Sequence, residues 1–322
     1  MTNKSNEYGY IGASPTQSSS ANTGIFEVND VTDLLNSNQY KLQTIDIQSL
    51  VIAGGGGGGY DWGGGGGAGG YRNSYASETS GDNSSTETPL TLAIGANHTV
   101  TVGAGGSAGT SSPGTRATNG SDSVFSSITS LGGGLATRSG NNPGGGDGGS
   151  GGGSGGYGTY EPFGGSGTAN QGGDGGRGGA AFQGNKYVGG GGGGAGGNAS
   201  NSLTDNGRAG ANGLSSSITG SAVTRAGGGG GASHLGGQGS GGSGGGGNGS
   251  SSNGQNGTVN TGGGAGGGDP NGGTGGSGVV ILRYPNTATI TVGAGLTAGT
   301  ETTDGSEKYI EITAGTGTVS FS

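Results

Sequence analysis

The sequence predicts a mostly non-α fold: a glycine-rich polyglycine II helix bundle bounded by two β-strands, with a small N-terminal attachment element and a C-terminal all-β module. Three observations predict it. Glycine supplies 95 of the 322 residues and comes in runs. Two continuous, β-branched segments, Ser49-Leu50-Val51-Ile52-Ala53 and Val279-Val280-Ile281-Leu282-Arg283-Tyr284, bracket those runs. Residues 286–322 read as short strands: ATITVGAGL, EKYIEITAG and TVSFS.

Each element follows from composition. With 25% hydrophobic and 9% charged residues, ordinary rules point to disorder or a flexible linker, since little apolar surface is expected to offset chain entropy, and ordering a glycine costs roughly 0.5–1 kcal/mol more than ordering alanine. Either the glycine runs stay loose or a regular lattice compensates. Polyglycine II is such a lattice: a left-handed threefold helix rising about 3.1 Å per residue, whose N–H and C=O groups point outward to neighbouring helices that glycine lets approach. Collagen is excluded, because strict G-X-Y periodicity is absent and only 7 prolines occur.

Three regions are expected. In residues 1–47, GIFEVNDVTDLLNSNQYKLQ carries Phe26, Val28, Val31, Leu34 and Leu35, with Asp30 placed to cap a short helix. Residues 48–285 form the glycine-rich body. The two bracketing segments are continuous apolar, β-branched runs bounded by glycine, the mark of buried strands, and they are expected to pair. Between them lie runs such as 54–59, 63–70, 144–156, 189–197 and 272–278, separated by β-prone inserts. SVFSSITSL (123–131) and LSSSITGSAVT (214–224) share SSIT and so read as related connectors. TVTVGAGGSAGT (99–110) and TITVGAGLTAGT (289–300) agree at nine of twelve positions, a reused β unit in which the second copy belongs to the 286–322 module.

Several functions are set aside. A net charge of −8 with scattered Lys and Arg argues against nucleic acid, which demands clustered positive charge. Without cysteine there are no disulfides or thiolate metal sites, and His98 and His234 stand in unrelated contexts without ligand or triad partners. No cofactor, metal or enzymatic activity is expected. GxGxxG strings are a by-product of glycine abundance, and GGDGGRGGA (172–180) lacks the period and aliphatic residue of a calcium-binding repeat. The opening MTNKSNEYGYIGASP has no apolar leader and no run reaches the roughly 20 residues of a membrane helix, so neither classical secretion nor membrane insertion is expected.

The strings SLVIAGGGGGG and GGTGGSGVVILRYP, with glycine runs separated by aromatic-polar segments, resemble the glycine-rich domains of bacteriophage tail-fibre proteins, including marine ones. The distal adhesin of T-even-type phages, a sandwich of polyglycine II helices, is the structural precedent. YGYIGASPTQSSSANTGIFEVNDVTDL is similar to the start of phage fibre proteins. The resemblance implies a virion protein, released by host lysis, that binds a bacterial surface polysaccharide or outer-membrane protein, docks on other virion proteins and forms a homotrimer. Virion attachment would fall on Tyr10, Phe26, Val28, Val31, Leu34 and Leu35. Receptor contact would fall on inserts between glycine runs: Tyr60, Asp61 and Trp62; Tyr71 and Tyr75; Tyr157, Tyr160, Glu161 and Phe163; Phe182, Lys186 and Tyr187; Arg208; and His234 with Leu235. Aromatics on a rigid scaffold suit recognition, but Tyr60 and Trp62 are better suited to capping the bundle end, because small cores commonly spend their few aromatics on packing. A structural spacer or capsid-surface fibre is the alternative function, and ice binding a third.

Overall fold

The computed structural model describes residues 43–140, 144–156, 162–180, 187–201 and 206–322. The N-terminal attachment residues Tyr10, Phe26, Val28, Val31, Leu34 and Leu35, and the expected helix after Asp30, lie outside them.

Regular structure is almost entirely β. In chain order the strands are β1 (Thr44–Ile52), β2 (Tyr71–Asn73), β3 (Leu90–Ala93), β4 (His98–Thr101), β5 (Ser123–Phe125), β6 (Ile128–Ser130), β7 (Gly179–Ala180), β8 (Tyr187–Val188), β9 (Leu214–Ser216), β10 (Val223–Arg225), β11 (Val279–Pro285), β12 (Ile290–Val292), β13 (Leu296–Ala298), β14 (Thr302–Asp304) and β15 (Glu307–Phe321). Eleven of them make one sheet in the order β2-β1-β11-β15-β4-β5-β6, with β3 on β1 and β12, β13 and β14 on β15. The ends of that path approach each other. Arg72 of β2 donates to the Thr129 carbonyl of β6 (3.3 Å), and Gly70 N–H donates to Leu131 (2.8 Å), so the sheet nearly closes on itself.

The bracketing segments pair directly and antiparallel, Leu50 opposite Ile281 and Ile52 opposite Val279. Their continuous apolar character has a simple cause: both faces are buried. Ile47, Val51, Val280, Leu282 and Tyr284 point into one cluster with Val100, Phe125, Ile312 and Phe321, where Tyr284 and Phe321 meet edge-on at 5.3 Å. The alternate residues Leu50, Ile52, Val279 and Ile281 point the other way, onto Ala68, Ala195, Ile218 and Ala226 of the glycine-rich inserts. β15 is the spine. Its first half pairs β11, β13 and β14, and its second half pairs β4 and β12 on opposite edges, Val319 lying between His98 and Val292. At the bend Gly315 has φ +99 and the Gly295 carbonyl sits where a side chain would be, so only glycine serves there.

The expectation of a polyglycine II helix bundle is corrected. Among the described residues the one helical piece is the single 3₁₀ turn Gly81–Asn83, and a nearly closed β-sheet dominates the regular structure. The glycine runs are extended segments tied side to side. Segment 54–59 shows how: Gly54 and Gly57 donate to Ser121 and Thr118, Gly55 and Gly58 to Gly276 and Gly273, and Gly56 and Gly59 to Gly67 and Gly64, at 2.8–3.0 Å. Its carbonyls accept from three further segments, Gly133 and Ala136, Gly106 and Gly109, and Ala265 and Gly268. Each residue thus bonds two different neighbours and the direction repeats every third residue. The side-chain-bearing segments favour the sheet instead, because β-branched residues gain by packing on its two faces.

Where a segment faces solvent and lacks an outer neighbour, Asn and Asp side chains take over. Asn198 and Asn201 accept the N–H of Asp174 and Arg177, Asn206 and Asn212 those of Gly237 and Ser243, and Asn256 that of Thr274, at 2.7–3.0 Å. Backbone donors that would otherwise face the rim unmet are satisfied by the amide carbonyl. The two SSIT strings, read as related connectors, differ in form. Ser126 and Ser127 turn the β5–β6 hairpin, whereas Ser216 ends β9 and Ile218 is buried beneath Arg283.

Candidate functional site

Glycine segments 54–59 and 63–70 run antiparallel, Gly59 N–H bonding to Gly64, so Tyr60-Asp61-Trp62 is the connection between them. Asp61 (φ 51) and Trp62 (φ 57) are both left-handed. For non-glycine residues that conformation costs about 1–3 kcal/mol each, and such strain concentrates at functional positions. Neighbours hold the turn in place. Trp62 N–H donates to Gly268 (3.0 Å), Ser139 N–H to Asp61 (3.2 Å), and the Ser139 hydroxyl to the Trp62 carbonyl (2.9 Å).

Other segments deliver side chains to this turn. The Trp62 ring meets His234 edge-on at 5.0 Å, and Tyr187 meets His234 from another direction at 5.6 Å. The His234 N–H donates to the Tyr187 carbonyl, and Ser233 bridges to Val188, which sets those two segments in register. The Arg138 guanidinium stands 5.7 Å from the Tyr60 ring and 3.7 Å from the Asp61 carboxylate, with both charged groups nearly half exposed. Asp269 completes the patch: partial burial raises its carboxyl above the usual range and the Asp61 charge adds to this, while His234 pulls it back. Leu235, next to His234, is 63% exposed. The result is an amphipathic surface of aromatic faces, one cation and two carboxylates. It offers stacking, apolar contact and hydrogen bonds to a ligand. Among the described residues no group of three His, Asp or Glu side chains could hold a metal ion.

Of the receptor candidates, Tyr60, Asp61, Trp62, Tyr187, His234 and Leu235 therefore come together. Others do not. Tyr71 is completely buried against β1, its phenol pushed up by burial and then by the Glu78 charge, so it belongs to the core. Tyr75 is half-buried with its ring 5.1 Å from the Arg283 guanidinium. Arg208 is 3% exposed, its guanidinium occupying the space beside Gly179 that a side chain there would need. Tyr71 and Arg208 are corrected as surface contacts because both are buried: Tyr71 packs in the apolar cluster beneath β1 and β11, and Arg208 takes the space that the missing side chain of Gly179 leaves. Phe163 is exposed, but on a separate groove with Arg177. Tyr157, Tyr160, Glu161, Phe182 and Lys186 lie outside the described residues. Arg138 and Asp269 were not expected. Both stand just past glycine runs, in ATRSG and GGGDPNGG, as Trp62 does, and that position is the signal that would have found them.

A family model described as a glycine-rich domain matches residues 36–285. The chain belongs to that family. The glycine-rich domain includes β1, the whole lattice, the Trp62 patch and β11, and the match ends at the last residue of β11; residues 286–322, which supply β12–β15, follow it. No curated protein matches the chain. No helix among the described residues is long and apolar enough to cross a membrane.

Proposed function

We propose that this glycine-rich domain protein is a non-enzymatic bacteriophage virion protein of the tail-fibre or adhesin type, whose rigid lattice presents the Trp62 patch to a host-surface polysaccharide or outer-membrane protein. The observation that carries the reading is the Asp61-Trp62 turn. Two consecutive non-glycine residues are held left-handed at the end of a glycine segment, with Tyr60, Tyr187, His234 and Leu235 from separate segments beside them. A scaffold that fixes aromatic groups in advance lowers the ordering cost of binding, and many copies on one particle multiply a weak contact. Residues 1–47 would join the fibre to other virion proteins, and a homotrimer is the assembly proposed.

The second reading is a spacer or capsid-surface fibre without a receptor. It draws on the half-burial of Tyr60 and Trp62 and the edge-on packing of His234, which would suit a cap. An array of purified bacterial surface polysaccharides and whole cells separates the two. The adhesin reading expects the full-length protein to be retained by at least one surface, and retention to fall at least tenfold in Trp62→Ala and in His234→Ala with melting temperature little changed. Retention by none, or equal retention by both variants, sinks the adhesin reading and leaves the spacer.

A further inference from the structure

Away from the Trp62 patch, a half-open groove of about 580 Å³ is lined by Phe163, Ser166, Asp174, Arg177 and Asn201 over a floor of glycine backbone. Its walls are set by the lattice rim. Asn201 accepts the Arg177 N–H (2.8 Å), Asp174 accepts the Gly167 N–H (2.8 Å), and Gly175 N–H bonds to Gly165 in the floor (2.9 Å). Arg177 lays its guanidinium 3.6 Å from the centre of the Phe163 ring, which is itself 67% exposed. Stacking engages only the face of the guanidinium, so its in-plane N–H donors stay free for a planar anion. Among the described residues no carboxylate forms an ion pair with Arg177.

We propose that this groove binds an acidic sugar: a pyranose carrying a carboxylate, taken by the edge of Arg177, with hydroxyls hydrogen-bonded by Asp174, Asn201 and Ser166 and a C–H face laid against Phe163. The volume falls within the roughly 300–1,000 Å³ of small-ligand sites and admits a short oligosaccharide. A single cation facing one carboxylate favours one acidic unit at a time over a polyanion of high charge density. The site stands apart from the Trp62 patch and does not depend on the protein belonging to a virion.

The test is a calorimetric titration of the full chain with trigalacturonate, and with maltotriose as the neutral probe of similar size. Trigalacturonate is expected to bind, with maltotriose at least tenfold weaker. Arg177→Gln should weaken trigalacturonate at least tenfold and leave maltotriose unchanged. Asp174→Asn, which removes a like charge, should tighten trigalacturonate severalfold, a gain that misfolding cannot produce. Absence of trigalacturonate binding by the wild type, or equal affinity in wild type and Arg177→Gln, overturns the assignment. Because the probe is a defined soluble sugar, that failure concerns the groove alone and leaves the array result for the Trp62 patch standing.

Discussion

In β1 and β11 the backbone bonds within one surface and apolar side chains fill both faces. In segment 54–59 the backbone bonds in every lateral direction and no side chain exists to fill anything. The sheet is held by what its residues carry, and the glycine lattice by what its residues lack. A sheet position therefore fails when atoms are removed, and a lattice position when they are added.

The sharpest break of that comparison is one methyl group. A Cβ on Gly66 would overlap the Gly56 carbonyl oxygen in the centre of the lattice, where backbone cannot move aside. Gly66→Ala is expected to lose at least about 3 kcal/mol, or to prevent folding, in a denaturant titration. Next comes the reverse experiment in the sheet. Leu282 is completely buried, and Leu282→Ala is expected to lose about 2–5 kcal/mol. If Gly66→Ala proved milder than Leu282→Ala, the lattice would be looser than its hydrogen bonds indicate.

Alkaline pH separates the regions next, because few titratable groups lie inside the lattice. Burial raises the Tyr284 phenol above its ordinary 10.0, with the Glu301 carboxylate adding to it, and burial likewise raises Tyr71. A group whose proton is held more tightly in the folded state contributes stability below its unfolded pKa and loses it as pH rises. Stability should therefore decline above pH ~10, by up to about 1.4 kcal/mol per pH unit for each tyrosine. Ultraviolet titration should show these two tyrosines resisting deprotonation until unfolding. Glu301 acts at the other end: hydrogen bonds from Lys308, then from Tyr284, hold it below 4.5, so its contribution is present above that pH and fades as pH falls.

Smaller effects sharpen the picture at the rim. Asn256→Ala removes the carbonyl that accepts the Thr274 N–H, at an exposed edge where water can replace it, and about 1 kcal/mol or less is expected. Gly299→Ala is the smallest. A Cβ there meets its nearest neighbour, the Glu311 carbonyl oxygen, at 3.7 Å, so the change should lie within about 0.5 kcal/mol of neutral by thermal melting.

Much of the sheet was legible. Ser49–Ala53 and Val279–Tyr284 announced buried strands through their apolar, β-branched runs, and they pair as read. The helix bundle was the misreading: glycine abundance spoke for close lateral contact, while the regular structure came from the short β-prone inserts that compose β4–β6 and from the long β15. The site was half legible. Tyr60-Asp61-Trp62 stood out between glycine runs, but its meeting with Tyr187 and His234 depends on which runs become neighbours. Identical glycine runs carry no label for that. Tyr71 looked no different in sequence from Tyr60, and one is core while the other is surface.

The two copies of the TVTVGAG-like unit mark the boundary between sequence and structure. Both begin as strands, and both pair with the second half of β15. They part where the first has Gly106 and the second Leu296. Gly106 enters the lattice, donating to Gly55 at a place where the Thr118 carbonyl excludes a side chain, while Leu296 packs on the barrel cluster as part of β13. The amino acids by themselves determined strand formation, two-faced burial and where a side chain could not be tolerated, because those depend on local period and size. Tertiary structure alone decided which glycine segments touch, and so which aromatics share a surface, because backbone N–H and C=O groups are alike in every run and only the closed set of neighbours selects their partners.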